Sequence, residues 1–324
     1  MNALANRAPI RPCATTNLFV GISAPFLAFA FLLVPLRANS QSPSFAGVVV
    51  ANTCSAQIQE PGQSGWKKIS PTRGVPRPLL EGEKVRCSPQ TPGSVTVLVS
   101  KQYKSVSGDE CYRVVSQDAL TDVVKYSDLA ATRGASYPST IFTSPSSEGA
   151  VDPQTFIVRW TPPARIGEVA LTIVPKSGGD GLFSFGGIPG GSGSFDSQPL
   201  RDALEKYRDR GGRDPLVLRL HDEAGQDYAV TFTVLTPPDQ KKLERELAEW
   251  DSQSGIVQHL GRASVFSSFS LYFEAAAECE LALQESPQSP LLLQLAANAE
   301  QRSGNSARAG ELENQFSQLT AKTR

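Results

Sequence analysis

A spacing of 34 residues near the C-terminus constrains the fold of this chain more than any other feature. Small residues recur at this distance, since Ala263, Ser270 and Ala275 are followed by Ala297, Gly304 and Ala309. In stacked helical hairpins, small residues let two antiparallel helices approach closely, and bulky residues fill the gap between them. The spacing therefore predicts an array of helices near 256–268, 271–285, 290–302 and 306–320.

The first unit of this array carries further residues at the offsets of a known helical repeat. In chain order they are Ala263, Phe266, Tyr272, Ala275, Ala282 and Pro287. The pattern resembles the tetratricopeptide repeat, which has alanines at helix contacts, aromatic fillers and a terminating proline. Two residues depart from it, because His259 stands where tryptophan is usual and Arg262 where leucine is usual. We therefore expect a looser inner face on the first helix.

The resemblance also implies a binding surface, since the first helix of each repeat pair lines a concave face. We expect a groove formed by Leu260, Ser264, Ser267, Ser268, Leu293 and Ala297. Small polar and apolar groups of this kind suit an apolar helix or an extended peptide. An additional helix over 239–251, with Leu243, Leu247 and Trp250 on one side, is expected to cap the short array.

The N-terminus has the pattern of a secretory signal. Arg7 and Arg11 precede an apolar run over 18–34, and Ala38 and Ser40 are small residues at the positions of a cleavage site. We expect cleavage after Ser40, so that residues 1–40 are the signal peptide and the protein is periplasmic or secreted. An uncleaved N-terminal membrane anchor is the alternative.

The charge balance excludes partners that require a strong electrostatic field. Lys and Arg together number 31 and Asp and Glu together number 32. A near-neutral chain has no long-range attraction for nucleic acid or anionic lipid. We therefore expect no nucleic-acid partner, and no membrane span once the signal is cleaved.

Two β units are predicted before the helices. The expected fold class is therefore a multi-domain protein, in which an all-β part of two small barrel or sandwich units is followed by an α-helical part. Residues 41–117 form the first unit, because valine-rich runs alternate with proline-rich and glycine-rich turns. The segments 47–49, 66–69, 80–85 and 93–97 weakly resemble exported β domains of the FecR type. The polar stretch 118–150 is predicted to be a flexible linker, because it offers little apolar area for burial.

Residues 151–237 are predicted to form the second β unit, and 238–324 the helical domain. Alternating apolar residues over 156–160, 169–173, 216–220 and 228–234 indicate half-buried strands. The pattern resembles immunoglobulin-like sandwiches, with Trp160 in the opening strand. Leu200, Leu204 and Tyr207 recur at helical spacing after a possible cap at Ser197, so one short helix is also expected.

Three cysteines lie in the first β unit and allow one disulfide in an oxidising compartment. We expect Cys87 to pair with Cys111, which flank a strand-like run; Cys54 with Cys87 is the alternative. Cys279 lies at a helix position that is usually apolar, so we expect a buried thiol there.

Few residues point to catalysis. The glycine-rich run over 178–195 lacks the Gly-Lys-Ser or Gly-Lys-Thr sequence of a phosphate loop, so we expect a hairpin tip, with partner contact as a second possibility. His221 precedes a turn, and His259 lies in a helix. GxSxG, HExxH and CxxC patterns do not occur. We expect a protein that is not an enzyme and that has no metal site and no cofactor.

Two functions remain. The first is an exported scaffold that binds a protein or peptide partner of the cell envelope through its repeat-like helices. The second is an envelope sensor or carbohydrate-binding protein that works through the β-sandwich. A glycan-binding sheet usually exposes aromatic rings, and the aromatic residues Trp160 and Tyr228 are in the inward-facing phase of their strands. The sequence therefore favours the scaffold.

Overall fold

The architecture follows the predicted order, a β part followed by a helical part. In a computed structural model, the residues described are 44–69, 74–115, 119–123, 141–162 and 167–321. The predicted signal peptide and its cleavage site lie outside this range. Within it, no helix is both long enough and apolar enough to span a membrane.

The first β unit consists of two four-stranded sheets that pack face to face. One has the strand order β4-β1-β6-β7 and the other β3-β2-β5-β8. Alternate valines, such as Val85, Val95 and Val97, are fully buried between the sheets, as their period of two predicts. The strands are β1 (Phe45–Asn52), β2 (Ala56–Gln59), β3 (Lys67–Lys68), β4 (Arg77–Leu80), β5 (Lys84–Cys87), β6 (Ser94–Val99), β7 (Gln102–Ser107) and β8 (Cys111–Arg113).

The disulfide of this unit joins Cys54 to Cys87, with 5.8 Å between their Cα atoms, instead of the expected Cys87 and Cys111. The strand register explains the difference. Cys87 lies opposite Ala56 and faces the core, whereas Cys111 lies opposite Arg86. Because neighbouring residues of a strand project to opposite faces, the Cys111 side chain is on the face away from Cys87.

The second β unit combines a five-stranded sheet with a three-stranded sheet. The strand orders are β10-β16-β15-β12-β13 and β14-β11-β9. Trp160 is buried between the sheets and its Nε1 donates to the carbonyl of Gly190 at 3.0 Å. The elements are β9 (Phe142–Ser144), β10 (Gly149–Val151), β11 (Val158–Trp160), β12 (Glu168–Pro175), β13 (Phe183–Pro189), β14 (Ser194–Phe195), α1 (Gln198–Asp209), β15 (Leu216–Asp222) and β16 (Asp227–Val234).

Two segments are more ordered than their composition predicts. The end of the expected 118–150 linker contains β9 and β10, because Phe142 is buried in the sandwich and β10 pairs in parallel with β16. The expected glycine-rich hairpin tip contains β13 and β14. The rings of Phe183 and Phe185 pack on Phe195, with centroids 6.2 and 5.0 Å away, and close one edge of the sandwich.

Five helices follow the last strand, and four lie within two residues of the predicted bounds. Side-chain caps begin two of them: Thr236 Oγ1 accepts from the amide of Asp239, and Ser289 Oγ accepts from the amide of Leu292. The helices are α2 (Pro237–Ala248), α3 (Gly255–Ser268), α4 (Tyr272–Glu285), α5 (Pro290–Ser303) and α6 (Ser306–Ala321).

The two residues that depart from the repeat pattern bind a shared carboxylate. Glu278 of α4 lies 2.7 Å from His259 Nδ1, and its other oxygen accepts from Arg262 Nε at 2.7 Å. Beside them, Gly261 packs closely against Trp250, since a Cβ atom on residue 261 would lie 2.1 Å from the indole ring. The expected loose inner face of α3 is therefore filled by ion pairs and by an indole ring.

The corner between α3 and α4 docks on the second β unit. The carbonyl of Ser270 accepts from the amide of Ala150 in β10 at 2.8 Å. In the next turn, Phe273 lies under the guanidinium of Arg159, 5.2 Å from the ring centroid. Burial at this contact raises the pKa of Glu274 from 4.5 to about 7, and the negative charge of Asp152 adds to the shift.

We predict that the bridge is Cys54–Cys87 and that Cys54→Ser lowers the free energy of unfolding by about 3–4 kcal/mol. The bridge closes a loop with a sequence separation of 33 residues, which restricts the unfolded chain. Non-reducing peptide mapping and urea denaturation measure the two quantities. Cys111→Ser is the control and is expected to leave the bridge intact; a peptide linked through Cys111 would contradict the assignment.

A second prediction concerns pH. The folded state holds the Glu274 proton more tightly than the unfolded state, so this group stabilises the fold below about pH 4.5 and loses that contribution as pH rises through about 7. At about pH 8, Glu274→Gln should have a free energy of unfolding up to about 3 kcal/mol higher than that of the wild type. At about pH 4 the two proteins should have similar free energies of unfolding. Urea denaturation at both values checks this, with exposed Glu244→Gln as control. An equal difference at both pH values would contradict it.

Candidate functional site

The groove expected from the helical repeat is largely covered by the first β unit. Four of its six residues are almost fully buried: Leu260, Ser267, Leu293 and Ala297. The leucines belong to one apolar cluster with Val48, Val75 and Leu98 of the β unit. The structure therefore brings the predicted residues together, but it fills this part of the groove with another part of the same chain.

Specific hydrogen bonds hold the β unit on the groove. The amide of Val75 donates to Ser267 Oγ at 3.2 Å, and Asn298 Nδ2 donates to the carbonyl of Gly74 at 3.4 Å. Gly74 has a φ of +110°, and a Cβ atom there would lie 2.4 Å from Ser267 Oγ. Only glycine combines this backbone conformation with so close an approach to α3.

The other two groove residues, Ser264 and Ser268, line an open cavity of about 180 Å³. It lies where α2 and α3 meet the edge of the first β unit. Charged side chains dominate its remaining walls, which include Lys68, Arg77, Arg245, Glu246 and Glu249, with Trp250 beside them. This part of the helical face is accessible, whereas the apolar part is not.

A second cavity of about 530 Å³ adjoins the first, and the two share Arg77, Glu249 and Trp250 as walls. Its other charged residues are Glu60, Lys67, Glu81 and Glu83. We refer to the two cavities together as the junction cleft. Clefts between packed units of a protein are common positions for ligand sites.

Arg77 is the central residue of the junction cleft. Its guanidinium lies 4.7 Å from the centroid of the Trp250 ring and 4.0 Å from the carboxylate of Glu83. Its Nε atom is buried and has no hydrogen-bond acceptor among the described residues. Desolvation lowers the pKa of Arg77 from its usual value, and burial raises the pKa of Glu83 against the opposing effect of Arg77.

The two cavities differ in charge. In the larger one, Lys67 is paired with Glu60 at 2.7 Å, and Glu81 and Glu249 form no ion pair in the described part of the chain. In the smaller one, Glu246 lies 3.7 Å from Lys242, and Lys68 and Arg245 make no ion pair among the described residues. The larger cavity is therefore acidic, and the smaller one carries an excess of cations.

This arrangement is suited to binding a ligand with two charges. An acidic cavity with an aromatic wall attracts a cation, and a neighbouring cationic cavity attracts a carboxylate.

Elsewhere, His221 Nδ1 lies 2.5 Å from Asp227 on an exposed hairpin, and His259 is bound to Glu278. No group of three or more His, Cys, Asp or Glu side chains suited to a metal ion occurs in the ranges that the structure describes.

Sequence reasoning missed Arg77, Glu249 and Glu81 as site residues. Arg77 follows a proline-rich turn, and Glu249 ends a charged helix, so neither position has a local motif. Trp250 was assigned only to the apolar stripe of its helix. These residues meet because the first β unit docks on α2 and α3, and no local pattern encodes that docking.

Comparison with known proteins does not assign the chain to a family. No model of a known protein family matches it, and a search of curated proteins finds no significant match.

We predict that the covered groove contributes to stability. Leu293→Ala should lower the free energy of unfolding by about 2–5 kcal/mol, because it leaves a cavity in the apolar cluster that α5 shares with the first β unit. Leu281→Ala, at a leucine that is 41% exposed on α4, is the matched control and should cost less than about 1 kcal/mol. Guanidinium denaturation of both variants measures the difference. Equal, small losses would mean that the groove is open.

Proposed function

We propose that this protein is an exported, non-enzymatic interaction protein that binds an extended peptide segment of another envelope protein in the junction cleft. The observation that carries the proposal is the pair of adjoining cavities with opposite charge on the two sides of Arg77 and Trp250. Their walls combine helix residues and strand residues, so the site exists only in the docked arrangement.

The dimensions favour an extended segment over a helix. A helix with its side chains is about 10–12 Å wide and needs a long open groove. Here the apolar part of the groove is occupied, and cavities of about 180 and 530 Å³ remain. Such volumes accept individual side chains of an extended chain that crosses the cleft.

The charges favour a segment with a basic residue close to an acidic residue. We place the basic side chain in the larger cavity, beside Glu81 and Glu249 and against Trp250. The acidic side chain then lies in the smaller cavity, near Lys68 and Arg245 and within reach of the hydroxyl of Ser268. A segment with both charges in the opposite order would place like charges together, which opposes binding.

We interpret α3 to α6 as two hairpins similar to tetratricopeptide repeats. Their lengths, their order and the alanine contacts at Ala263 and Ala275 support this interpretation. In this chain the hairpins hold the β units, and they contribute only their outer edge to partner binding. Export is supported by the N-terminal sequence pattern and by the Cys54–Cys87 bridge, since disulfides persist in oxidising compartments.

A sugar-binding sensor that works through aromatic stacking on the sandwich is less well supported. Trp160 is buried, and Tyr228 lies opposite Leu220, so its ring is on the core side of the sheet. Sugar rings are usually bound by exposed aromatic side chains, and neither of these residues provides one.

Selection from a display library of random peptides tests the proposal. The wild-type protein should enrich peptides in which a basic residue lies near an acidic one. Glu249→Lys should remove the preference for the basic residue. It should also lower the affinity for the selected peptides by about tenfold or more, as expected when one charge in a binding site is reversed.

Glu244→Lys is the matched control, because Glu244 lies on the same helix and is exposed outside the cleft. It should bind the selected peptides as the wild type does. Failure to enrich any common motif, or equal binding by Glu249→Lys, would refute the proposal. Thermal unfolding of both variants shows whether either change disturbs the fold.

A further inference from the structure

A third cavity, of about 420 Å³, lies on the outer face of the five-stranded sheet, far in sequence from the junction cleft residues. The turn that connects β12 to β13 forms one wall. This turn is held at its ends by backbone hydrogen bonds, from Lys176 to Pro215 at 2.8 Å and from Leu182 to Ile173 at 2.8 Å. The size is within the range of small-ligand sites, about 300–1,000 Å³.

The strand register places a row of polar side chains on the floor of this cavity. Thr172 of β12 lies opposite Ser184 on one side and opposite Arg219 on the other. Because Leu171 and Ile173 point into the core, Thr172 and its two partners project outward. Two hydroxyls and a guanidinium therefore lie side by side across three strands.

The charge in this cavity has one sign. Lys176 and Arg219 both line it, and none of the described acidic residues does. In the described part of the chain, neither cation forms an ion pair with a carboxylate. Asp214, near the turn, accepts a hydrogen bond from Ser177 and lies outside the lining. The cavity therefore holds two cations without an ion-pair partner among the described residues.

The turn leaves its backbone open to a ligand. Gly178 and Gly179 have φ angles of +91° and +121°, and a Cβ atom on either would meet no atom within 4 Å. Glycine is required by the backbone conformation there, and both residues are exposed. The amide of Gly178 donates to the carbonyl of Pro175 at 3.0 Å, so the amide of Gly179 is the group of this pair that can donate to an anion.

We propose that this cavity binds a small organic anion, namely a sugar acid or sugar phosphate. The anionic group binds Arg219 and Lys176, and the hydroxyls of Thr172 and Ser184 bind the sugar hydroxyls. This inference does not depend on the junction cleft, because it shares no residue with it. It also differs from stacking on Trp160 or Tyr228, since charge is the main attraction.

Isothermal titration of the disulfide-bonded protein with glucuronate, glucose 6-phosphate and glucose tests the inference. At least one of the two anions should bind, glucose should not, and added salt should weaken the binding. The tighter anion identifies the class. Arg219→Gln should weaken binding about tenfold, because it removes a charge-assisted hydrogen bond.

Arg210→Gln is the control, since Arg210 is an exposed arginine at the end of α1 and does not line the cavity. It should bind as the wild type does, and so should Glu249→Lys, which separates this site from the cleft. The inference is overturned if neither anion binds, if glucose binds equally well, or if Arg210→Gln loses as much affinity as Arg219→Gln. Arg219 is exposed, so its replacement is not expected to affect folding.

Discussion

Burial of apolar area at one three-way junction holds the parts of this protein together. Leu80 from the first β unit and Leu235 from the end of the second meet Leu243, Trp250 and Leu271 of the helical part in a single cluster. Burial of each such side chain stabilises by about 1.5–3 kcal/mol. Since none of the three parts completes the cluster alone, the cleft beside it is a property of the assembled chain.

The junction also explains the unusual position of Arg77. A guanidinium is costly to bury without partners, and here Trp250 and Glu83 compensate for only part of its lost hydration. The Nε atom, which has no acceptor in the described part of the chain, lies beside cavities that remain open to solvent. Buried polar groups with unused hydrogen-bonding capacity are common at binding sites, because a ligand can supply the missing acceptor.

Elements with strong local periodicity were predictable, and contacts between distant segments were not. The bounds of α3 to α6 follow from alanine spacing, from Pro287 and, for α5, from the capping residue Ser289. By contrast, β10 is held by parallel pairing with β16. Similarly, β13 is held by pairing with β12 and by ring contacts with Phe195. The polar and glycine-rich composition of these segments therefore wrongly indicated a linker and a hairpin tip. The pairing of the cysteines depended on which face of the sheet each cysteine side chain occupies. The groove residues were identified, but their burial depends on docking of the 74–75 segment, which carries no local signal.

The contact at Ser270 gives the helices a second role, because it connects them to the second β unit as well as to the first. One side of the α3–α4 hairpin is fastened to the first β unit through Ser267, and its corner is fastened to β10 of the second through Ser270. The helices therefore contact both β units and help to set their relative position. A mechanical load applied to one β unit would therefore be transmitted to the other through this hairpin.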